Sequence, residues 1–194
     1  MSNLANHFDF AHQFLNIASN SVDEMELRGN INSSIISDTG DESENNKIHD
    51  ERRKWSDINV SLPILFCFFH GVELLMKAIL FDLGIKYSKS HNLTDLLNQI
   101  KDLENPLLNK VSDCVTDILT NSPFKEHFRE NNKSVDEFYH ILKYAEDKKG
   151  NYTSIRTLLG NEEDGLNNFL ILRSQIKLLR IEHANSRKAL SNIL

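Results

Sequence analysis

Apolar residues recur along the chain with the spacing of α-helices. The pattern predicts a first helix over residues 3–28, which ends at Gly29. An almost uniformly apolar run follows over residues 64–83, with Pro63 in the first turn of its helix and Gly84 at the end. The pattern therefore predicts an all-α fold, a bundle of four main helices plus shorter ones. The remaining helical segments lie at about residues 93–100, 107–119, 135–142 and 164–190.

Polar residues concentrate in one stretch, residues 30–54. It contains Asp38–Asp41 and Glu42–Asn46 and few large apolar side chains, so it contributes little to a core. We interpret this stretch as a flexible loop. Two roles stay open for it: a solvated connector, and a lid or partner-binding insertion.

The apolar run over residues 64–83 is about as long as a membrane span. His70, Glu73 and Lys77 interrupt it near the middle, where ionisable groups are costly in lipid. A helix that is apolar on nearly all sides packs among other helices. We therefore predict a central core helix and no association with a membrane.

The same three polar residues share one face of the predicted helix. At about 100° per residue, Glu73 lies about 60° and Lys77 about 20° from His70 around the helix axis. Glu73 and Lys77 are spaced for direct pairing, and an unpaired buried charge is very costly. Two interpretations stay open: a structural ion pair that orients neighbouring helices or a dimer interface, and a polar pocket for a nucleotide or RNA phosphate.

A basic stripe on the last predicted helix is the second candidate feature. Arg173, Lys177, Arg180 and Arg187 fall within about 80° of one another on a helical wheel. Arginine binds phosphate oxygens in a bidentate manner, so Arg173, Arg180 and Arg187 are candidate phosphate-binding residues. A solvated face, or salt bridges to acidic residues elsewhere in the chain, explains the stripe equally well.

Composition excludes some classes of function but does not identify a reaction. The chain has 22 basic and 28 acidic residues and a net charge of −6, which excludes a surface that broadly coats nucleic acid. The start of the chain has no pattern of a signal peptide, and Cys67 and Cys114 fit a reducing cytosol, so we expect a cytoplasmic protein. The motifs of phosphate loops, zinc proteases and serine hydrolases are missing, so we predict no metal and no cofactor. We expect one domain over residues 1–194.

Two blocks of the sequence together resemble the HEPN superfamily. Phe69–Leu80 matches the pattern Glu-x-x-x-Lys-Ala-x-Leu, and Ser90–Leu97 matches the pattern His-x-Leu-x-x-Leu-Leu that follows it in this family. Tyr139–Asn151 is similar to a segment that reads Arg-Tyr-Pro and then a charged turn in some members. The resemblance covers roughly residues 60–155. By itself, His91 fits either hydrogen bonding at a helix start or a ligand role.

The resemblance implies an α-helical bundle that often dimerises and is associated with RNA processing, toxin–antitoxin pairs or anti-phage defence in bacteria. We predict a non-catalytic homodimeric module that binds a nucleotide, RNA or a protein partner, such as an antitoxin or a defence component. The residues predicted to form its ligand-binding or buried polar network are His70, Glu73, Lys77, His91, Lys143 and Tyr144.

Ribonuclease members of the family use Arg, four to six residues, and then His. No histidine in this chain has an arginine at that spacing, although lysine occupies the position in three cases. Lys177 with His183 lies beside the basic stripe, which makes this pair the candidate for a diverged, metal-independent endoribonuclease, with Arg180 or Arg173 on the phosphate. A third hypothesis is a purely structural dimerisation module.

Overall fold

The computed structural model describes residues 4–31, 40–87, 91–146, 150, 158–159 and 162–192. Within these ranges the chain forms α-helices and one 3-10 turn, with no strand, which confirms the predicted all-α fold. The helices are α1 (Leu4–Arg28), α2 (Glu42–Arg53), α3 (Asp57–Asp82), α4 (Leu93–Lys101), α5 (Asn109–Thr120), α6 (Lys125–Glu130), α7 (Val135–Tyr144) and α8 (Glu162–Ser191), and the 3-10 turn is Pro106–Leu108.

Helix α3 lies at the centre of the fold and packs against α1, α4, α7 and α8. Among the helices described, it alone is long and apolar enough to cross a membrane, yet 72% of its most apolar window is buried inside the protein. Its closest neighbour is α1, because Gly71 has no side chain to hold the two helices apart. A Cβ at position 71 would lie 2.7 Å from Leu15 Cγ and 3.2 Å from the Ala11 carbonyl oxygen.

Helix α3 begins at Asp57, six residues before Pro63, which was predicted to lie in the first turn. Ser56 adopts the extended conformation of an N-cap, and the backbone N–H of Asp57 donates to Asn30 Oδ1 at 2.7 Å. Pro63 therefore lies within the helix, where its side chain is exposed. The buried hydrogen bond between Asp57 and Asn30, just beyond the end of α1, could not be anticipated from the residues around Pro63.

The predicted loop over residues 30–54 is wrong for residues 42–53, which form α2. Asp41 caps this helix, because its Oδ1 accepts hydrogen bonds from the backbone N–H groups of Ser43 at 2.8 Å and Glu44 at 3.3 Å. Glu42 and Glu44 in the first turn add a favourable interaction with the helix dipole. A good cap thus supports a helix with little apolar surface. Residues 32–39 lie outside the described ranges.

Helix α8 runs antiparallel to α1. Arg173, in the first half of α8, contacts Asp23 near the end of α1, whereas Arg187, near the end of α8, lies over the ring of Phe8 near the start of α1. Between them, Arg180 donates to Asn16 Oδ1 at 2.8 Å. Helices α1, α3 and α8 therefore form the frame of the fold, and α4, α5 and α7 pack against α3 or α8.

Candidate functional site

The carboxylate of Glu73 is buried at the centre of a polar network, with its side chain 1% exposed. Its Oε1 accepts hydrogen bonds from Lys77 Nζ at 2.5 Å and from His91 Nδ1 at 2.8 Å. Its Oε2 accepts from the Tyr139 hydroxyl at 2.5 Å and from Lys143 Nζ at 3.0 Å. Four donors therefore satisfy one buried carboxylate. We call Glu73, Lys77, His91, Tyr139, Lys143 and the adjacent His70 the Glu73 network.

Local helix geometry supplies two pairs of residues to this network. Glu73 and Lys77 are one turn apart on α3, and Tyr139 and Lys143 are one turn apart on α7. Residues four positions apart lie on the same helix face. Packing of α7 against α3 therefore brings two residues from each helix together.

His91 is positioned by the start of α4. It immediately precedes Asn92, whose Oδ1 accepts from the backbone N–H of Asp95 at 2.8 Å and so caps the helix. Asp136 on α7 accepts hydrogen bonds from the backbone N–H of Leu93 at 2.5 Å and from the Thr94 hydroxyl at 2.6 Å. These contacts fix the beginning of α4 against α7, which holds His91 beside Glu73.

His70 connects the network to an aromatic cluster. Its Nδ1 lies 2.8 Å from the Tyr139 hydroxyl and 3.6 Å from Glu73 Oε2. Because Tyr139 gives its own hydrogen to Glu73, its oxygen can accept the hydrogen of His70 Nδ1. The imidazole stacks on Phe66 with centroids 5.5 Å apart and meets Phe14 edge-on at 4.5 Å. These rings fix the orientation of His70.

The network favours the ionised form of Glu73. Burial alone raises the pKa of this carboxyl, but the polar contacts with His70, Lys77, Tyr139 and His91 outweigh it and hold the pKa well below its usual range. Burial and the adjacent carboxylate raise the pKa of Tyr139 far above its ordinary value, so its hydroxyl remains a donor.

The positive charge of the two lysines exceeds the negative charge of the Glu73 carboxylate. Burial lowers the pKa of Lys143, and the charge of Lys77 lowers it further, whereas Glu73 raises it. Two ammonium groups facing one carboxylate leave one positive charge in excess, even with both histidines neutral. The network is thus cationic as a whole.

The structure brings five of the six predicted network residues together, namely His70, Glu73, Lys77, His91 and Lys143. The sixth residue, Tyr144, has an exposed side chain, and its ring is tilted against that of His140 with centroids 4.6 Å apart. Sequence reasoning missed Tyr139 as a member of the network and included it only as the first residue of the segment Tyr139–Asn151 that resembles the family. Its place one turn before Lys143 was the signal that could have found it.

Lys177 and His183, the candidate nuclease pair, do not converge on one surface. They are about 120° apart around the axis of α8. Lys177 is exposed, whereas His183 is buried and stacks on Phe8 with centroids 4.9 Å apart. Burial lowers the pKa of His183 to about 4, and His12 and Arg187 contribute to this shift.

The arginines of the basic stripe make contacts within the protein. Arg173 pairs with Asp23 and Glu26, each at 2.6 Å. Arg180 donates to Asn16, and Arg187 lies over Phe8 at 4.4 Å from the ring centroid. From the sequence, salt bridges to acidic residues were one possible explanation of the stripe. Arg173 makes such salt bridges.

Residues 66–160 match the family model for the HEPN domain. This segment is a HEPN domain. It contains every residue of the Glu73 network, whereas α8 lies outside it. The resemblance stated from the sequence is thereby confirmed, and the family supports a general nucleotide- or RNA-associated or ribonuclease-like module. Comparison of the chain with curated proteins and with solved structures found no match.

Proposed function

We propose that the HEPN domain is a non-catalytic module that binds the phosphate groups of a nucleotide or of RNA at the rim of the Glu73 network. One observation carries the proposal: two ammonium groups and two imidazoles converge on a single carboxylate. A cationic cluster with a fixed geometry suits a phosphate, which is anionic and accepts several hydrogen bonds.

The lysines keep hydrogen-bonding capacity for such a ligand. An ammonium group has three N–H donors, and Lys77 and Lys143 each give one to Glu73 in the part of the chain that is described. Lys143 Nζ also lies over the ring of Tyr139, 3.8 Å from its centroid. The remaining donors can turn towards a phosphate oxygen without breaking the bonds to Glu73.

His91 forms the accessible edge of the network. Its side chain is 57% exposed, whereas the side chains of Lys77 and Lys143 are largely covered. Because Nδ1 donates to Glu73, Nε2 is the ring nitrogen that can meet a ligand, and it donates to a phosphate oxygen in the imidazolium form, in which both ring nitrogens carry hydrogen. We therefore place the entrance to the phosphate site at His91.

Binding without cleavage agrees with the state of Glu73. Its four hydrogen bonds keep it ionised, so it has no proton to donate and no free lone pair directed at a substrate. The defence or toxin–antitoxin setting and a protein partner are proposed from the family resemblance alone, and the cytoplasmic location is proposed from the residue composition.

Fluorescence anisotropy with a 5′-labelled, mixed-sequence single-stranded RNA tests the proposal, and equilibrium dialysis with ATP tests the nucleotide alternative. We expect His91→Ala and Lys143→Gln each to weaken binding of the recognised probe about tenfold, the value of a charge-assisted hydrogen bond of about 1.5 kcal/mol. Lys110→Gln, which removes an exposed positive charge on α5, is the matched control and should bind as the wild type does. Binding should also weaken as salt rises.

The outcomes separate the proposal from the two alternatives. The network would be a structural ion pair and not a binding site if the wild type, His91→Ala and Lys143→Gln bound with equal affinity. The same conclusion would follow if neither probe bound. The RNA is recovered afterwards on a denaturing gel and should be intact. RNA decay that His183→Ala abolishes would support the endoribonuclease hypothesis instead.

A further inference from the structure

His91 differs from the other histidines of the chain in its exposure. All eight histidines lie within the ranges that the structure describes, and His91 is the only one of them that is exposed. Its side chain is 57% exposed, whereas that of His70, the other histidine beside Glu73, is 23% exposed. The imidazole of His91 is therefore the one that a solute reaches most easily.

The buried carboxylate of Glu73 fixes the tautomer of this ring. His91 Nδ1 lies 2.8 Å from Glu73 Oε1, and an ionised carboxylate can only accept a hydrogen bond. In the neutral imidazole the single ring hydrogen is therefore on Nδ1, and Nε2 carries a lone pair. A carboxylate in this position also stabilises positive charge that develops on the ring. His91 thus presents a nucleophilic nitrogen at the accessible edge of the network.

Two ammonium groups lie beside the imidazole of His91. Lys77 Nζ is 2.5 Å from the same oxygen of Glu73 that accepts from His91, so the ammonium and the imidazole are neighbours. Lys143 Nζ is 3.0 Å from the other oxygen of that carboxylate. A phosphoryl group in transfer carries its negative charge on three oxygens, which positively charged groups stabilise. The network therefore combines a nucleophile with the charges that phosphoryl transfer requires.

We propose that Nε2 of His91 is a site of phosphorylation by a donor that carries its phosphoryl group on nitrogen, a phosphoramidate. The lone pair of Nε2 forms the new N–P bond. The P–N bond of the donor breaks, and its electron pair stays on the donor nitrogen, which is protonated beforehand and leaves as a neutral amine. Nε2 has no hydrogen to lose, and Nδ1 keeps the hydrogen that it donates to Glu73. The product is a phosphohistidine whose positively charged ring pairs with the carboxylate.

The inference goes beyond the proposed function and does not require it. The reaction needs a covalent bond to one residue, and neither RNA nor a nucleotide takes part. The two proposals share the lysines of the Glu73 network, because the same ammonium groups would face a bound phosphate or a phosphoryl group on His91.

Intact-mass spectrometry of the whole chain, incubated with potassium phosphoramidate, tests the proposal. We expect the folded wild type to gain one phosphoryl group, which tandem mass spectrometry places on His91. The adduct should be lost in acid and survive in alkali, as a P–N bond does and a serine phosphate ester does not. His91→Gln should gain no phosphoryl group in the same time. Inorganic phosphate at the same concentration has no amine to lose and should give no adduct.

The rate of modification decides whether the network takes part, because any exposed imidazole reacts slowly with this reagent. The matched reference is His91→Gln combined with Lys188→His, which places an exposed histidine on α8 outside the Glu73 network. We expect His91 to react at least about tenfold faster than this reference, the effect of one charge-assisted hydrogen bond in the transition state. Lys143→Gln should slow the reaction at His91 by a similar factor, whereas the exposed Lys110→Gln should leave it unchanged.

Three results would overturn the proposal: an adduct that does not lie on His91, a rate at His91 no higher than that of the reference, or equal rates for the wild type and Lys143→Gln. The titrations with RNA and ATP contain no phosphoramidate, so they test the proposed function separately. A chain that binds neither probe but is phosphorylated rapidly at His91 would support this inference alone. A chain that binds a probe but gains no phosphoryl group would support the proposed function and contradict this inference.

Discussion

The hydroxyl of Tyr139 donates to Glu73 Oε2 at 2.5 Å, across 66 positions of the sequence. This contact joins α7 to the central helix α3, and both partners are almost fully buried. The hydroxyl also lies 2.8 Å from His70 Nδ1, so it links the carboxylate to the aromatic cluster around His70. The bond from Tyr139 is therefore part of the core of the protein as well as of its candidate site.

We expect Glu73→Gln to lower the free energy of unfolding by about 3–5 kcal/mol, the usual cost of breaking a buried ion pair. The amide of glutamine has an N–H₂ group where Glu73 accepts hydrogen bonds, so two donors would face each other on one side. Lys77 and Lys143 would also lose their counter-charge. Urea denaturation followed by circular dichroism measures the change.

Tyr139→Phe serves as the graded comparison for this prediction. It removes one hydroxyl and keeps the ring, so we expect a smaller loss of about 1.5–3 kcal/mol. If Glu73→Gln were no more destabilising than Tyr139→Phe, the four-donor description of Glu73 would be incorrect.

We expect Arg173→Ala to cost about 1 kcal/mol of stability and to leave the affinity for RNA unchanged. Arg173 pairs with both Asp23 and Glu26 on α1, and paired, partly exposed charges contribute modestly to stability. Thermal unfolding and the anisotropy titration measure the two effects. A loss of RNA affinity without a loss of stability would favour the phosphate-binding role predicted for the basic stripe.

The long helices could be predicted from the sequence because their signals are local. Helix α1 is described over Leu4–Arg28, within one residue of the prediction, since apolar spacing and Gly29 define it. The pairing of Glu73 with Lys77 was equally accessible, because four positions make one helical turn. Helix α2 could not be predicted in this way, since its apolar content is low and it is supported by one side-chain cap at Asp41.

The tertiary partners could not be predicted, because they depend on how the helices pack. Nothing near Tyr139 in the sequence indicates that α7 lies against α3. Likewise, the spacing of Lys177 and His183 resembles a catalytic motif, but it does not reveal that position 183 faces α1. The same limit applies to Tyr144, which is adjacent to Lys143 in sequence but has an exposed side chain.

We expect Gly165→Ala to destabilise the fold by about 2–3 kcal/mol, although alanine favours helices by about 1 kcal/mol over glycine. A Cβ at position 165 would clash with Asp57 Oδ2 and lie 3.3 Å from Asn30 Nδ2. Both neighbours are fully buried and bonded to each other, so neither can move aside cheaply.

Chemical denaturation measures the effect of Gly165→Ala. Ser174→Ala is the matched control, because it makes a similarly small change at an exposed position of the same helix and should shift stability by less than about 0.5 kcal/mol. Equal stabilities of the two variants would mean that Gly165 does not approach Asp57 this closely.

Finally, the stability of the protein should fall as the pH is lowered from 7 to 5. Burial lowers the pKa of His183, and likewise that of His127, to about 4, compared with about 6.5 in the unfolded chain. Between these values the unfolded state binds more protons, so stability rises with pH and is lost as the pH falls. Each histidine should account for about 2 kcal/mol at pH 5. His183→Phe keeps the contact with Phe8 and removes the titrating group. Urea denaturation at pH 7, 6 and 5 measures the free energy of unfolding of this variant and of the wild type. The variant should lose about half as much stability as the two histidines together cost the wild type. An unchanged pH dependence in this variant would show that His183 titrates as freely in the folded protein as in the unfolded chain.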